Sequence, residues 1–207
     1  MDRALLLTAI SILAAAFIAA SVFAYYPLKL VVQPVTPPIT FVPGTNANKS
    51  DLGSTDLGSS NTITVSLGKN STSAEITIHP TYHTTYYKNV MMIVNNDTKA
   101  YNVSLVVDTV SNNLPPGSKV YMIVFSSGAS RSLSASYPEP GLPSSYVRVI
   151  NLTNIRTRTS KWIQWLDANS IWEIDFMVYI PEGASLTDAS ATFGMHLVYS
   201  PSEETPP

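Results

Sequence analysis

Cysteine is missing from all 207 positions. Exported proteins often offset limited burial with disulfides; here packing, hydrogen bonding or assembly has to hold the fold. A blue-copper type of site, which needs a thiolate, is excluded as well. Charge is scarce: 12 Lys and Arg stand against 14 Asp and Glu, 13% of the residues in all, for a net charge of −2. No basic stripe exists to neutralise phosphates, which argues against a nucleic-acid partner. There is no Gly-rich phosphate loop and no Gly-x-Ser-x-Gly elbow to expose a serine nucleophile. No catalytic constellation stands above background, so the sequence does not read as an enzyme.

What the chain does have begins at its N-terminus. Residues 4–24 are 21 consecutive uncharged positions rich in Leu, Ile, Ala and Phe, and the charged residues ahead of them are Asp2 and Arg3. About 20 apolar residues cover the hydrocarbon core of a bilayer as a helix, and a charged start, an apolar stretch and small residues at its end also make a secretory signal. Cleavage after Val22-Phe23-Ala24 makes Tyr25 the first mature residue; retention makes the run an anchor. Either way the remainder leaves the cytoplasm, for the cell surface or the medium. The only expected contact with a membrane is through this run if it is uncleaved.

Residues 25–60 follow as an extended arm and loop. Pro27, Pro34, Pro37, Pro38 and Pro43 each fix φ and remove a backbone donor. Between them lie short apolar stretches, with Leu28, Leu30 and Val32 alternating against Lys29 and Val31, and then Ile39 to Val42. Such an arm is too apolar for a plain linker and too proline-broken for a central strand of its own domain. Residues 44–60, rich in Gly, Ser, Asn and Asp, read as a loop.

From residue 61 to 200 the hydrophobic period is close to two. Candidate strands are 62–67, 74–79, 88–95, 101–110, 119–126, 146–151, 161–166, 171–180 and 189–199, rich in β-branched and aromatic residues and separated by turn residues. About nine strands on short connections predict an all-β head, a two-sheet sandwich of jelly-roll or Ig-like type. A polar tail, 201–207, ends the chain.

Few residues suggest chemistry. His79, His83 and His196 are candidate metal ligands with Met91, Met92 and Met195 nearby in sequence, but Pro80 breaks the helix that would align the first two histidines; no metal and no cofactor is expected. Glu173 and Asp175, two apart on one strand, read as a solvated face. Trp162, Trp165 and Trp172 could line a sugar surface, but with Ile163, Leu166 and Ile171 beside them they read as core and sheet-edge packing. Five Asn-x-Ser/Thr sequons, at Asn48, Asn70, Asn96, Asn102 and Asn151, mark sites for N-linked glycans, most of them in or beside predicted turns.

An apolar arm ahead of a sandwich suggests a mechanism. A sandwich lacking one strand exposes an unpaired edge that something must cover. A neighbour's arm can supply that strand, and because arm and groove occupy different places, the contact is head-to-tail and propagates. In its signal run, its arm at residues 25–42, its strand pair from Lys88 to Val110 and its Pro181-Glu182-Gly183 turn, the chain resembles archaeal bundling-pilus and thread subunits, which are similar to TasA- and camelysin-type biofilm fibre proteins. That resemblance implies a jelly-roll-like head, donor-strand exchange into a homopolymer of identical subunits, heavy N-glycosylation and cell–cell bundling. Carried over by position, Leu28, Leu30, Val32, Ile39 and Phe41 become the donor anchors, although Pro34, Pro37 and Pro38 interrupt a continuous strand and leave open which stretch inserts. Two other readings stand beside it: a type IV pilin or archaellin-like subunit cut after Arg3, and a membrane-anchored domain binding carbohydrate or metal.

Overall fold

The computed structural model describes residues 3, 4, 7, 8, 10, 35–48, 63–80, 83–131 and 141–201. It divides into two units, Met1–Val35 and Thr36–Pro207. In the first, the described residues at positions 3–10 are helical, and Thr8 Oγ1 donates to the Ala4 carbonyl at 2.8 Å. Among the described residues no helix is long and apolar enough to cross a membrane. Most of the apolar run, and with it Leu28, Leu30, Val32, the expected cleavage site and the polar tail beyond residue 201, lies outside the described residues.

The second unit is all-β. Its strands are β1 (Ile39–Pro43), β2 (Ile63–Leu67), β3 (Ser73–Ile78), β4 (Thr84–Asn95), β5 (Tyr101–Asn112), β6 (Lys119–Ser126), β7 (Arg148–Asn151), β8 (Thr159–Leu166), β9 (Ile171–Tyr179) and β10 (Ala191–Ser200). They form two five-stranded sheets, ordered β1-β4-β9-β6-β7 and β2-β3-β10-β5-β8, and every pairing is antiparallel. Nine of the ten are the strands expected from the period-two pattern. The tenth, β1, comes from the segment read as an arm. The strand pair from Lys88 to Val110 does not pair with itself: β4 and β5 lie in different sheets, because the chain crosses over at residues 96–100.

Alternation explains how the sheets meet. Ile39 and Phe41 of β1, Ile174, Phe176 and Val178 of β9, and Leu105 and Val107 of β5 all point to one shared core with Ile76, Phe193 and Met195. The central strand β9 is covered on both faces. Its other side contributes Met177 to a smaller apolar cluster with Ile123 and Phe125. Burying large aliphatic and aromatic side chains contributes roughly 1.5–3 kcal/mol each, so this double layer holds the head without disulfides.

Two strands break their own alternation. In β4 the register against β9 shifts between Tyr87 and Met91, with Asn89 at φ 47°. In β8 the register against β5 pairs Trp165 with Asn102, Gln164 with Val103 and Trp162 with Ser104, so Ile163 is the extra residue of a bulge. Asn102 and Ser104 share one face, and the bulge therefore turns Trp162 and Trp165, three apart, to that same face.

Candidate functional site

Three places in the head concentrate unusual interactions, and β1 is the first. It is an edge strand whose ladder partner is β4, from Ile39 opposite Asn95 to Pro43 opposite Met91, and on its other side the Phe41 N–H donates to the Ser71 carbonyl in the β2–β3 turn at 2.6 Å. Ile39 is 0% exposed and Phe41 1%. The turn that follows is tied to the β4 bulge: Gly44 N–H donates to the Val90 carbonyl at 2.8 Å, and Asn46 Nδ2 donates to that of Lys88 at 2.7 Å. Gly44 is required there, since a Cβ would sit 2.1 Å from the Asn89 carbonyl oxygen. Asn48 completes the turn by hydrogen-bonding both backbone groups of Val65, accepting at 2.7 Å and donating at 3.0 Å.

A buried ion cluster backs the same bulge. Asp175 has no exposed side-chain surface. Its Oδ1 accepts the Asn89 backbone N–H at 2.7 Å, and its Oδ2 accepts Arg131 Nε at 2.7 Å and the Tyr86 hydroxyl. Arg131 Nη2 also donates to Glu173, whose Oε1 accepts from Ser127 Oγ and Gly128 N–H at 3.2 Å each. The Arg131 guanidinium lies 4.7 Å from the centre of the Phe125 ring. The expectation of a solvated carboxylate face is therefore corrected. Glu173 and Asp175 do share a face, but Arg131, more than 40 residues away in sequence, closes over them. Burial pushes the Glu173 carboxyl up, yet the hydrogen bonds from Arg131 and Gly128 outweigh it and hold the group below the usual carboxylate value. Burial, then the bond to Asp175, pushes the Tyr86 phenol well above its ordinary value.

The third place is a cleft of about 530 Å³ where the β8–β9 turn meets the end of β6, lined by Trp165, Gln164, Asp167, Asn169, Ser126 and Val147 among others. Asn95, 1% exposed, organises its rim. Its Nδ2 donates to the carbonyls of Lys99 and Asp167 at 2.8 Å and of Leu166 at 3.3 Å, its Oδ1 accepts Asp97 N–H at 3.0 Å, and its own N–H donates to the Ser170 carbonyl at 3.0 Å. Asn169 turns the chain from β8 to β9 at φ 52°, a conformation Asn tolerates, and donates its N–H to the Asp97 carbonyl at 3.0 Å. The tryptophans separate here. Core and sheet-edge packing are both found: Trp172 is core, whereas Trp162 and Trp165, 42% and 36% exposed, lie together on the outer face of the sheet-edge strand β8. The bulge in β8, invisible to a count of alternation, is the reason.

The remaining sequence-level candidates scatter. His196 Nδ1 pairs with Asp108 Oδ2 at 2.7 Å on the outer face of its sheet, while Met91 and Met195 are buried in the core. His83 packs edge-on against Tyr179, their ring centres 4.8 Å apart. Among the described residues no group of three or more His, Cys, Asp or Glu is placed to hold a metal ion. Of the sequon asparagines, Asn70, Asn96 and Asn151 are exposed at turns or strand ends. Asn151 Oδ1 accepts the Thr153 N–H at 2.9 Å. Asn48 is exposed but its amide is engaged with Val65. Asn102 lies inside β5, buried, its Oδ1 accepting the Trp162 indole N–H; it is the one of the five that the folded chain gives no room for an oligosaccharide.

The residues that sequence reasoning did not single out are Arg131, Tyr86, Asn89 and Asn95. Only Asn95 carried a local signal, as the first residue of an Asn-Asn-Asp turn. No protein-family model matches the chain, and no curated protein matches it either.

Proposed function

We propose that this chain is an exported structural subunit that assembles head-to-tail at the cell surface by exchanging an N-terminal strand, and that β1 is the strand exchanged. The observation that carries the reading is β1 itself. It is a short edge strand that fills the core with two of the largest fully buried side chains, Ile39 and Phe41. The compact unit ahead of it ends at Val35, and the 19 residues from 44 to 62 separate it from β2. A strand attached in this way can fill its own groove or an identical groove on a neighbour with the same backbone pairs. Occupying the groove buries two anchors, worth roughly 3–6 kcal/mol together before ordering costs. This favours the Ile39 to Val42 stretch over Leu28 to Val32 as the insert. Seven of the nine connections cross between the sheets, which supports the jelly-roll description over the Ig-like one. Exposed Asn70, Asn96 and Asn151 are where N-linked glycans would project from such a filament. The role assigned is structural, with no catalytic step.

The absence of cysteine makes the test clean. Thr40 and Val94 are directly opposed across β1 and β4 and both are part-exposed, and opposed antiparallel positions fall within disulfide reach. The double variant Thr40→Cys/Val94→Cys, oxidised in filaments sheared from cells, is expected to give a ladder of covalent multimers on non-reducing gels. Filaments that yield only cross-linked monomers would place β1 in its own head and sink the exchange.

A further inference from the structure

We infer that the cleft at the β8–β9 turn is a saccharide-binding site, with Trp165 as its stacking platform. This goes beyond the filament reading and does not rest on it. The chemistry of the lining selects the ligand class. Trp165 offers an exposed indole, while Gln164, Asn169, Ser170 and Ser127 supply amide and hydroxyl groups that both donate and accept. Among the described residues Asp167 is the one carboxylate that lines the cleft, and no Lys or Arg lines it. Without a cation the cleft has nothing to neutralise a phosphate or sulfate. With a polar rim it is poorly matched to a lipid or an apolar peptide. A sugar ring answers both halves: its axial C–H face packs on an aromatic ring, and its hydroxyls exchange hydrogen bonds with neutral amides and hydroxyls.

The cleft is also built in advance of any ligand. Asn95 ties the β8–β9 turn to the β4–β5 turn through carbonyls of Leu166, Asp167 and Lys99, and the Asn169 N–H adds a second tie at Asp97. On the platform side, the β8 bulge brings Trp162 to the same face as Trp165. The Trp162 indole N–H is fixed by buried Asn102, and the Arg148 guanidinium lies 5.7 Å from the ring centre. Rigid aromatics and prearranged polar groups lower the ordering cost of binding a flexible, well-hydrated ligand.

The test is titration of the purified full chain with cellohexaose, chitohexaose, mannohexaose and N-glycans released from the same cells, read by tryptophan fluorescence and calorimetry. At least one probe is expected to saturate with a shift in emission. Trp165→Ala should weaken it roughly tenfold or more, Trp165→Phe should keep part of the affinity, and circular dichroism should be unchanged. Filament yield should also be unchanged, which separates this site from strand exchange. Overturning outcomes are the absence of saturation with every probe at millimolar concentration, equal affinity of Trp165→Ala and the parent, or a loss of self-association in Trp165→Ala, which would make the cleft a contact between copies.

Discussion

Asp175→Ala tests the buried ion cluster most directly. The carboxylate has no exposed surface, and Arg131 retains 8% of its side-chain exposure. Removing one partner of a buried ion pair leaves the other charge uncompensated, at a cost of about 3–5 kcal/mol. The Tyr86 hydroxyl and the Asn89 N–H lose their acceptor in the same step, but these losses overlap with the first and do not simply add. Glu173 limits the damage, since it keeps one bond to Arg131. We therefore expect a loss of about 3–5 kcal/mol, which for a unit of this size corresponds to a melting temperature lower by very roughly 6–20 °C. Thermal and urea unfolding followed by circular dichroism at neutral pH measure it. The triple variant Asp175→Leu/Arg131→Met/Glu173→Met removes every charge of the cluster, which includes the Arg131–Glu173 pair, and apolar replacements of buried pairs or triads are often neutral, so it should recover much of the loss. A loss below about 1 kcal/mol in the single variant, the range of exposed pairs, would refute the reasoning and return Asp175 to a solvated face.

Other consequences are as direct. Gly44→Ala forces a Cβ against the Asn89 carbonyl, where backbone has to move; we expect a loss of about 1–3 kcal/mol in urea unfolding, with the β4 bulge amides exchanging faster by hydrogen exchange. Asn95→Ala strips the cleft rim of its shared donor and leaves buried carbonyls unpaired, for about 1–3 kcal/mol, and weakens saccharide binding together with stability. Acid should destabilise the head. Glu173 and Asp97 are both held below their ordinary values of 4.5 and 3.8, Asp97 chiefly by the Tyr101 hydroxyl. The folded state then binds their protons less readily than the unfolded one. The stability they add is present above about pH 4.5 and is lost as pH falls. Tyr86, raised above 10.0, acts in the opposite sense, and its contribution is lost only as pH rises beyond that value. A pH series of urea midpoints that stays flat from neutral down to pH 3 would contradict the first half.

Local sequence was enough for nine strands because each buries one face, and a period of two survives wherever alternate side chains meet a core. Turn chemistry marked most of their ends. It was also enough to place Glu173 and Asp175 on one strand, two apart and so on one face. Tertiary structure decided the rest. Whether Ile39 and Phe41 are an arm or a strand depends on a groove formed by β4, some 50 residues downstream, and prolines around them mask the local signal. The face occupied by Trp162 and Trp165 depends on one extra residue in β8, which inverts the parity that alternation assigns. The burial of Asp175 depends on Arg131, whose own neighbourhood in sequence gives no sign of an ion pair. Periodicity reports how a segment meets whatever covers it. It carries no information about which distant residue does the covering, and that is where β1, the ion cluster and the cleft came from.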